Sequence, residues 1–129
     1  MDDKVGYWLD LADYDLETAK AMFQTGRYLY VAFMCHQAVE KCLKAAWQAA
    51  HLDGIPPKTH NLEYLASQVG LTERLSDRQL QFLAELEPLN VESRYPTQKN
   101  ALFQTLGKRR CSGLIGRTSR MVAWIRRQL

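Results

Sequence analysis

Between Gly26 and Gly54 the chain runs for more than 20 residues without a glycine or a proline, and this run limits the possible folds most. Along it Tyr28, Ala32, Cys35, Val39, Cys42, Leu43, Ala46 and Ala50 recur at spacings of three and four. A half-buried strand would alternate; this spacing draws one apolar stripe along a long helix. The remaining chain must supply the surfaces that cover it. From Lys4 to Gln24, Val5, Trp8, Leu9, Ala12, Leu16, Ala19, Met22 and Phe23 keep the same period. Gly26 then stands where a left-handed closing residue is wanted, so the second helix should return antiparallel to the first.

Weaker punctuation follows. Gly54, Ile55, Pro56 and Pro57 supply a permissive closing residue and two prolines that forbid continuation. Thr59 or Asn61 caps a short third helix carrying Leu62, Leu65, Ala66 and Val69, closed by Gly70. Ser76 and Gln79 have the spacing of a capping box and open a fourth helix with Leu80, Leu83 and Leu86, expected to stop at Pro88. Residues 89–100 read as an exposed loop, because Pro96 holds Tyr95 out of helical geometry. A weak helical start over Ala101 to Leu106 precedes Gly107. The last helix then buries Cys111, Leu114, Ile115, Thr118, Val122, Ile125 and Leu129. With no credible strand and no repeat, the expectation is an all-α up-and-down bundle of four to five helices forming one domain over residues 1–129.

Composition narrows the class. With 47% apolar and 24% charged residues, disordered and low-complexity classes are excluded. The longest uncharged apolar-rich run, Tyr28 to Val39, covers 12 residues, so no membrane span is expected. The acidic opening Met1-Asp2-Asp3 does not read as a secretory signal, and a cytoplasmic location is the default. Three cysteines suggest buried thiols in a reducing compartment, with no disulfide framework. No cofactor motif is present.

The net charge of +3 conceals a division. Residues 1–93 hold 8 Lys/Arg and all 14 Asp/Glu, whereas residues 94–129 hold the other 9 Lys/Arg and no acid. Two readings stand side by side: the basic end holds a polyanion or acidic partner, or it pairs internally with the acidic first helix.

Several residues carry candidate chemistry. His36 and Glu40, four apart, have the spacing of a general base and its orienter, though Glu40 also precedes Lys44 in the favoured direction for a helical ion pair. Cys35, Cys42, Cys111 and His36 lack paired-ligand spacing, so no metal site is expected. Lys58-Thr59-His60-Asn61-Leu62 offers a hydroxyl, an imidazole and backbone amides to an anion, or simply caps a helix. Arg94-Tyr95-Pro96 places a two-pronged phosphate-binding guanidinium beside a ring on which a base can stack, with Lys99 following. Trp47, Phe82, Phe103 and Trp124 lie off the main stripes and suggest an interface.

The run His36-Gln37-Ala38-Val39-Glu40-Lys41-Cys42-Leu43-Lys44-Ala45, then Pro57-Lys58-Thr59-His60-Asn61-Leu62, then Arg94-Tyr95-Pro96, resembles the HEPN domain family of prokaryotes. The order and spacing match along nearly the whole chain. The resemblance implies a helical homodimer whose subunits line a shared cleft. It also implies kinship with the toxin half of toxin–antitoxin pairs, often partnered by a minimal nucleotidyltransferase, whose active members are metal-independent RNases. Their signature is Arg, four to six residues, then His. Arg94 matches the arginine, but no histidine follows it in this chain. An arginine stabilises a crowded phosphate yet cannot take the 2′-hydroxyl proton. The expectation is therefore a catalytically degenerate HEPN protein binding RNA, a nucleotide or a cognate nucleotidyltransferase through Arg94, Tyr95, Lys58, His60 and Lys99. The alternative is an active RNase toxin in which Arg94 works with His36 or His60.

Overall fold

The computed structural model describes residues 3–91 and 104–129. Among the described residues, five helices are delimited in chain order: α1 (Asp3–Gln24), α2 (Tyr28–Ala50), α3 (Leu62–Gln68), α4 (Asp77–Val91) and α5 (Lys108–Arg127), and Gln104 and Thr105 are also helical. The described residues contain no strand.

Local chemistry accounts for the boundaries. At the end of α1, Gly26 takes φ +74°, and the Arg27 amide donates back to the Met22 carbonyl at 2.8 Å. This left-handed closure reverses the chain and lays α2 antiparallel on α1. Gly70 closes α3 in the same conformation, at φ +71°. Asn61, not Thr59, caps α3: its side chain accepts from the Tyr64 amide at 2.9 Å, while the Thr59 hydroxyl accepts from the Asn61 amide at 3.1 Å. The capping box at α4 is reciprocal, with the Ser76 amide donating to Gln79 Oε1 at 2.8 Å and the Gln79 amide to Ser76 Oγ at 3.1 Å.

Two boundaries differ from the sequence reading. First, α4 does not stop at Pro88; it passes through to Val91. Pro88 is exposed and lacks the N–H that would bond the Ala84 carbonyl, while Leu89 and Asn90 beyond it are each only 1% exposed. Burial of those two side chains outweighs the missing donor. Second, Gly54 does not adopt a positive φ. Its need is for space: a Cβ there would lie 2.6 Å from the Trp47 ring.

The core is continuous. Helix α2 packs against α1, α3, α4 and α5, and α1 also meets α5. Leu43, Leu62, Leu65, Leu83, Leu86, Leu89, Leu114 and Ile125 are the largest fully buried apolar side chains. Each contributes on the order of 1.5–3 kcal/mol by leaving water. No helix among the described residues is long and apolar enough to cross a membrane.

The off-stripe aromatics divide. Phe82 is buried within the protomer, beneath the Arg117 guanidinium at 4.8 Å from the ring centre. Trp47 stacks on His51 at 4.0 Å and is covered by Gly54. Phe82 is thereby spent inside the protomer, whereas Trp47 stays half-buried. Trp124 is half-buried, and Phe103 lies outside the described residues.

Candidate functional site

The apolar stripe of α2 has a polar counterpart. His36, Gln37, Glu40, Lys44 and Gln48 recur on the same helix and are all buried, with Lys41 beside them. Buried polar groups require partners, and α2 finds them on α1, on α4 and on the loop between α2 and α3. Lys41 bridges Asp15 of α1 at 3.3 Å and Gln37 at 2.9 Å; Gln37 donates onward to Asn90 of α4 at 2.7 Å. Gln48 accepts from the Trp8 indole at 3.3 Å and donates to the carbonyls of His51 and Gly54, fastening the loop after α2.

Glu40 is the centre of the arrangement. It is 2% exposed and shared between Lys44, whose Nζ is 3.2 Å from Oε2, and His60, whose Nδ1 is 2.7 Å from Oε1. The histidine that pairs closely with Glu40 therefore comes from the loop 20 residues away, not from the same helix. His36 Nδ1 stands 3.9 Å from Glu40, and its Nε2–H donates to the His60 carbonyl at 3.0 Å. His36 thus holds the backbone that presents His60. It is completely buried, and desolvation pushes its pKa down to about 4. A neutral, enclosed imidazole is a poor candidate for contact with substrate.

His60 has the opposite character. Its side chain is 55% exposed. With Nδ1–H donated to the buried carboxylate, Nε2 is directed away from Glu40. The third histidine, His51, spends Nδ1 on the Trp47 carbonyl at 2.9 Å and stacks on that indole. Of the three histidines, only His60 combines an orienting carboxylate with an exposed ring.

The amides at the start of α3 are not open to an anion. Glu87 of α4 already accepts from the Leu62 and Glu63 amides, and burial raises its pKa despite them. The capping reading therefore holds, with a carboxylate of the chain itself in the anion's place. Lys58 is exposed and makes no ion pair among the described residues. Arg94, Tyr95 and Lys99 lie outside the described residues; α4 ends at Val91, three positions before Arg94.

The three thiols are buried. Desolvation pushes Cys35 up to about 11 and Cys42 up to about 12, and raises Cys111. No group of three or more metal-ligating side chains occurs among the described residues. The basic end divides between the two readings of its charge. Arg126 pairs with Asp13 of α1 at 2.6 Å, and Arg117 grips Glu85 of α4 at 2.8 and 3.2 Å, while Lys108, Arg109, Arg120 and Arg127 have no ion pair among the described residues.

The family profile described as HEPN domain matches residues 5–128, nearly the entire bundle. The chain belongs to the HEPN domain family. Solved structures place this HEPN chain in the same fold. It is similar to TT1696 from Thermus thermophilus, with TM-score 0.84 and 18% identity over 100% of both chains. It is also similar to ST0689, described as an archaeal HEPN homologue, with TM-score 0.67 and 20% identity over 98% of both chains. Among curated proteins, none matches this HEPN sequence.

The polar stripe and the roles of Gln37, Lys41, Glu87 and Asn90 were missed in the sequence. The signal for Gln37 and Lys41 was present as a second period of three and four along α2, offset from the apolar one, whereas Glu87 and Asn90 lie on α4 and carry no such signal.

Proposed function

We propose that this HEPN protein binds RNA as a homodimer, gripping a phosphodiester with Arg94 and offering Tyr95 for base stacking, with Lys58, His60 and Lys99 as further contacts. The observation that supports this reading is the presentation of His60. A buried carboxylate and a buried histidine together hold one exposed imidazole on the loop that the family resemblance marks with Lys58 and His60. The missing histidine after Arg94 favours binding without turnover, and a cognate minimal nucleotidyltransferase or a nucleotide would engage the same surface.

A second reading, an active metal-independent RNase toxin, is favoured by one geometric fact: the His60–Glu40 pair has the form of a general base with its orienter. In it, Arg94 stabilises the phosphate and His60 takes the 2′-hydroxyl proton. Incubating labelled RNA with the protein in a chelator separates the readings. Binding without cleavage, weakened in Arg94→Ala, supports the first. Cleavage lost in both His60→Ala and Arg94→Ala establishes the second. RNA affinity and integrity unchanged by Arg94→Ala would refute both. Light scattering that reports a monomer at micromolar concentration would remove the dimer.

A further inference from the structure

A groove of about 640 Å³ runs between the first half of α4 and the second half of α5, and the functional reading above does not use it. On α5, Arg120, Trp124 and Arg127 follow one another at spacings of four and three, so guanidinium, indole and guanidinium share one face. Arg78 of α4 lies across from them. Arg117 and Glu85 also line the groove but neutralise each other at 2.8 and 3.2 Å. Arg78, Arg120 and Arg127 are exposed and make no ion pair among the described residues. The groove therefore carries three uncompensated arginines.

We infer that this groove binds a single-stranded nucleic acid, with phosphates on Arg78, Arg120 and Arg127 and a base stacked on Trp124. The charge and the lining both favour this occupant. Of the apolar side chains lining the groove, Phe82 and Met121 are already 5% and 3% exposed and Trp124 is half-buried, so the ring offered for stacking is that of Trp124. A second copy docked with this groove on the twofold axis would set the same arginines against one another. An array of guanidinium groups around a half-buried aromatic ring instead matches the alternating phosphate and base of a single strand.

The groove is separate from the His60 site. Residues 78, 82 and 85 share one stripe of α4, whereas residues 83, 87 and 90 share another, turned by about 140° at 3.6 residues per turn. Glu87, which meets the start of α3, and Asn90, which meets Gln37, belong to the second stripe. The inference extends the nucleic-acid reading to another face of the bundle, where recognition of phosphate and ring does not require a 2′-hydroxyl.

Fluorescence anisotropy with labelled oligothymidylate tests it on the full chain, because DNA cannot undergo 2′-hydroxyl cleavage. Affinity should fall as salt rises. The charge reversal R120E/R127E should weaken binding at least tenfold, and R120A/R127A should flatten the slope of log affinity against log salt by about 1.4, the contribution of two phosphates on a single strand. Trp124→Leu should weaken binding about fivefold or more, as loss of one stacked base requires. Arg120 and Arg127 are exposed, so these variants should keep the wild-type helical spectrum and melting temperature. The measurements are repeated in an Arg94→Ala background, so that binding at the surface around Arg94 does not mask the groove, and R120E/R127E should weaken oligothymidylate binding at least tenfold there as well. Wild-type affinity in R120E/R127E, no binding by the wild type at low salt, or equal competition by polyglutamate would overturn the inference. A groove variant that shifts the oligomeric state would overturn it in favour of a subunit interface. None of these results bears on the response of RNA to Arg94→Ala, so failure of the groove and failure of the Arg94 reading are distinguishable.

Discussion

Asn90 accepts a 2.7 Å hydrogen bond from the Gln37 amide, with the two side chains only 1% and 8% exposed. This bond joins the middle of α2 to the final turn of α4, two residues beyond Pro88 and four before Arg94. It anchors a turn that the proline would otherwise release. Replacing Asn90 by Ala leaves the Gln37 amide buried without that acceptor and should cost about 1–3 kcal/mol, measured by urea unfolding.

Glu40 offers a second test. Its carboxylate holds Lys44, 8% exposed, and His60. Glu40→Ala leaves the ammonium group nearly enclosed without a counter-charge and should destabilise the fold by about 3–5 kcal/mol. The double variant Glu40→Leu with Lys44→Met should recover much of that loss, because it removes both charges together. A loss in the double variant as large as in Glu40→Ala would show that the carboxylate acts chiefly through His60.

The buried His36 makes stability depend on acidity in a defined window. Its pKa is about 4 when folded and 6.5 as the ordinary value, because burial disfavours the imidazolium; Glu40, His60 and Lys41 are the charged or titratable groups acting on it. Between these values the unfolded chain takes up a proton that the folded chain refuses. The stabilisation is therefore fully present above pH 6.5 and is lost as the pH falls toward 4, with a total near 3 kcal/mol at 1.36 kcal/mol per unit. Asp15 and Glu87, whose pKa values are raised by desolvation, act in the opposite direction at the acidic end. Comparing thermal unfolding of the wild type and His36→Gln from pH 7 to pH 4 isolates the histidine: the variant should show the shallower decline.

Gly54 tests close packing. An added Cβ would meet the Trp47 ring at 2.6 Å, and that ring is held by its stack on His51. Gly54→Ala should destabilise the protein by about 1–3 kcal/mol through overpacking, even though its backbone φ suits any residue. Gly54→Ala combined with Trp47→Leu should cost less than the sum of the single changes.

The helices were legible because their causes are local. Spacings of three and four, the left-handed glycines at 26 and 70, the Asn61 cap and the reciprocal Ser76–Gln79 box all act within a few residues. The end of α4 was not legible, because Pro88 signals a stop locally while burial of Leu89 and Asn90 against the rest of the bundle decides otherwise. The site divides in the same way. His36, Glu40 and His60 were all visible as candidates, but spacing along one helix coupled Glu40 to His36, and the fold couples it to His60.

The order of residues alone determined the all-helical class, most helix boundaries and the separation of acidic from basic charge, since periodicity and composition need no partner to be read. Tertiary structure decided which imidazole is enclosed and which is presented, that Glu87 fills the start of α3, and which arginines remain uncompensated. Those outcomes depend on distances between segments far apart in the chain, and such distances exist only after the apolar stripes have packed.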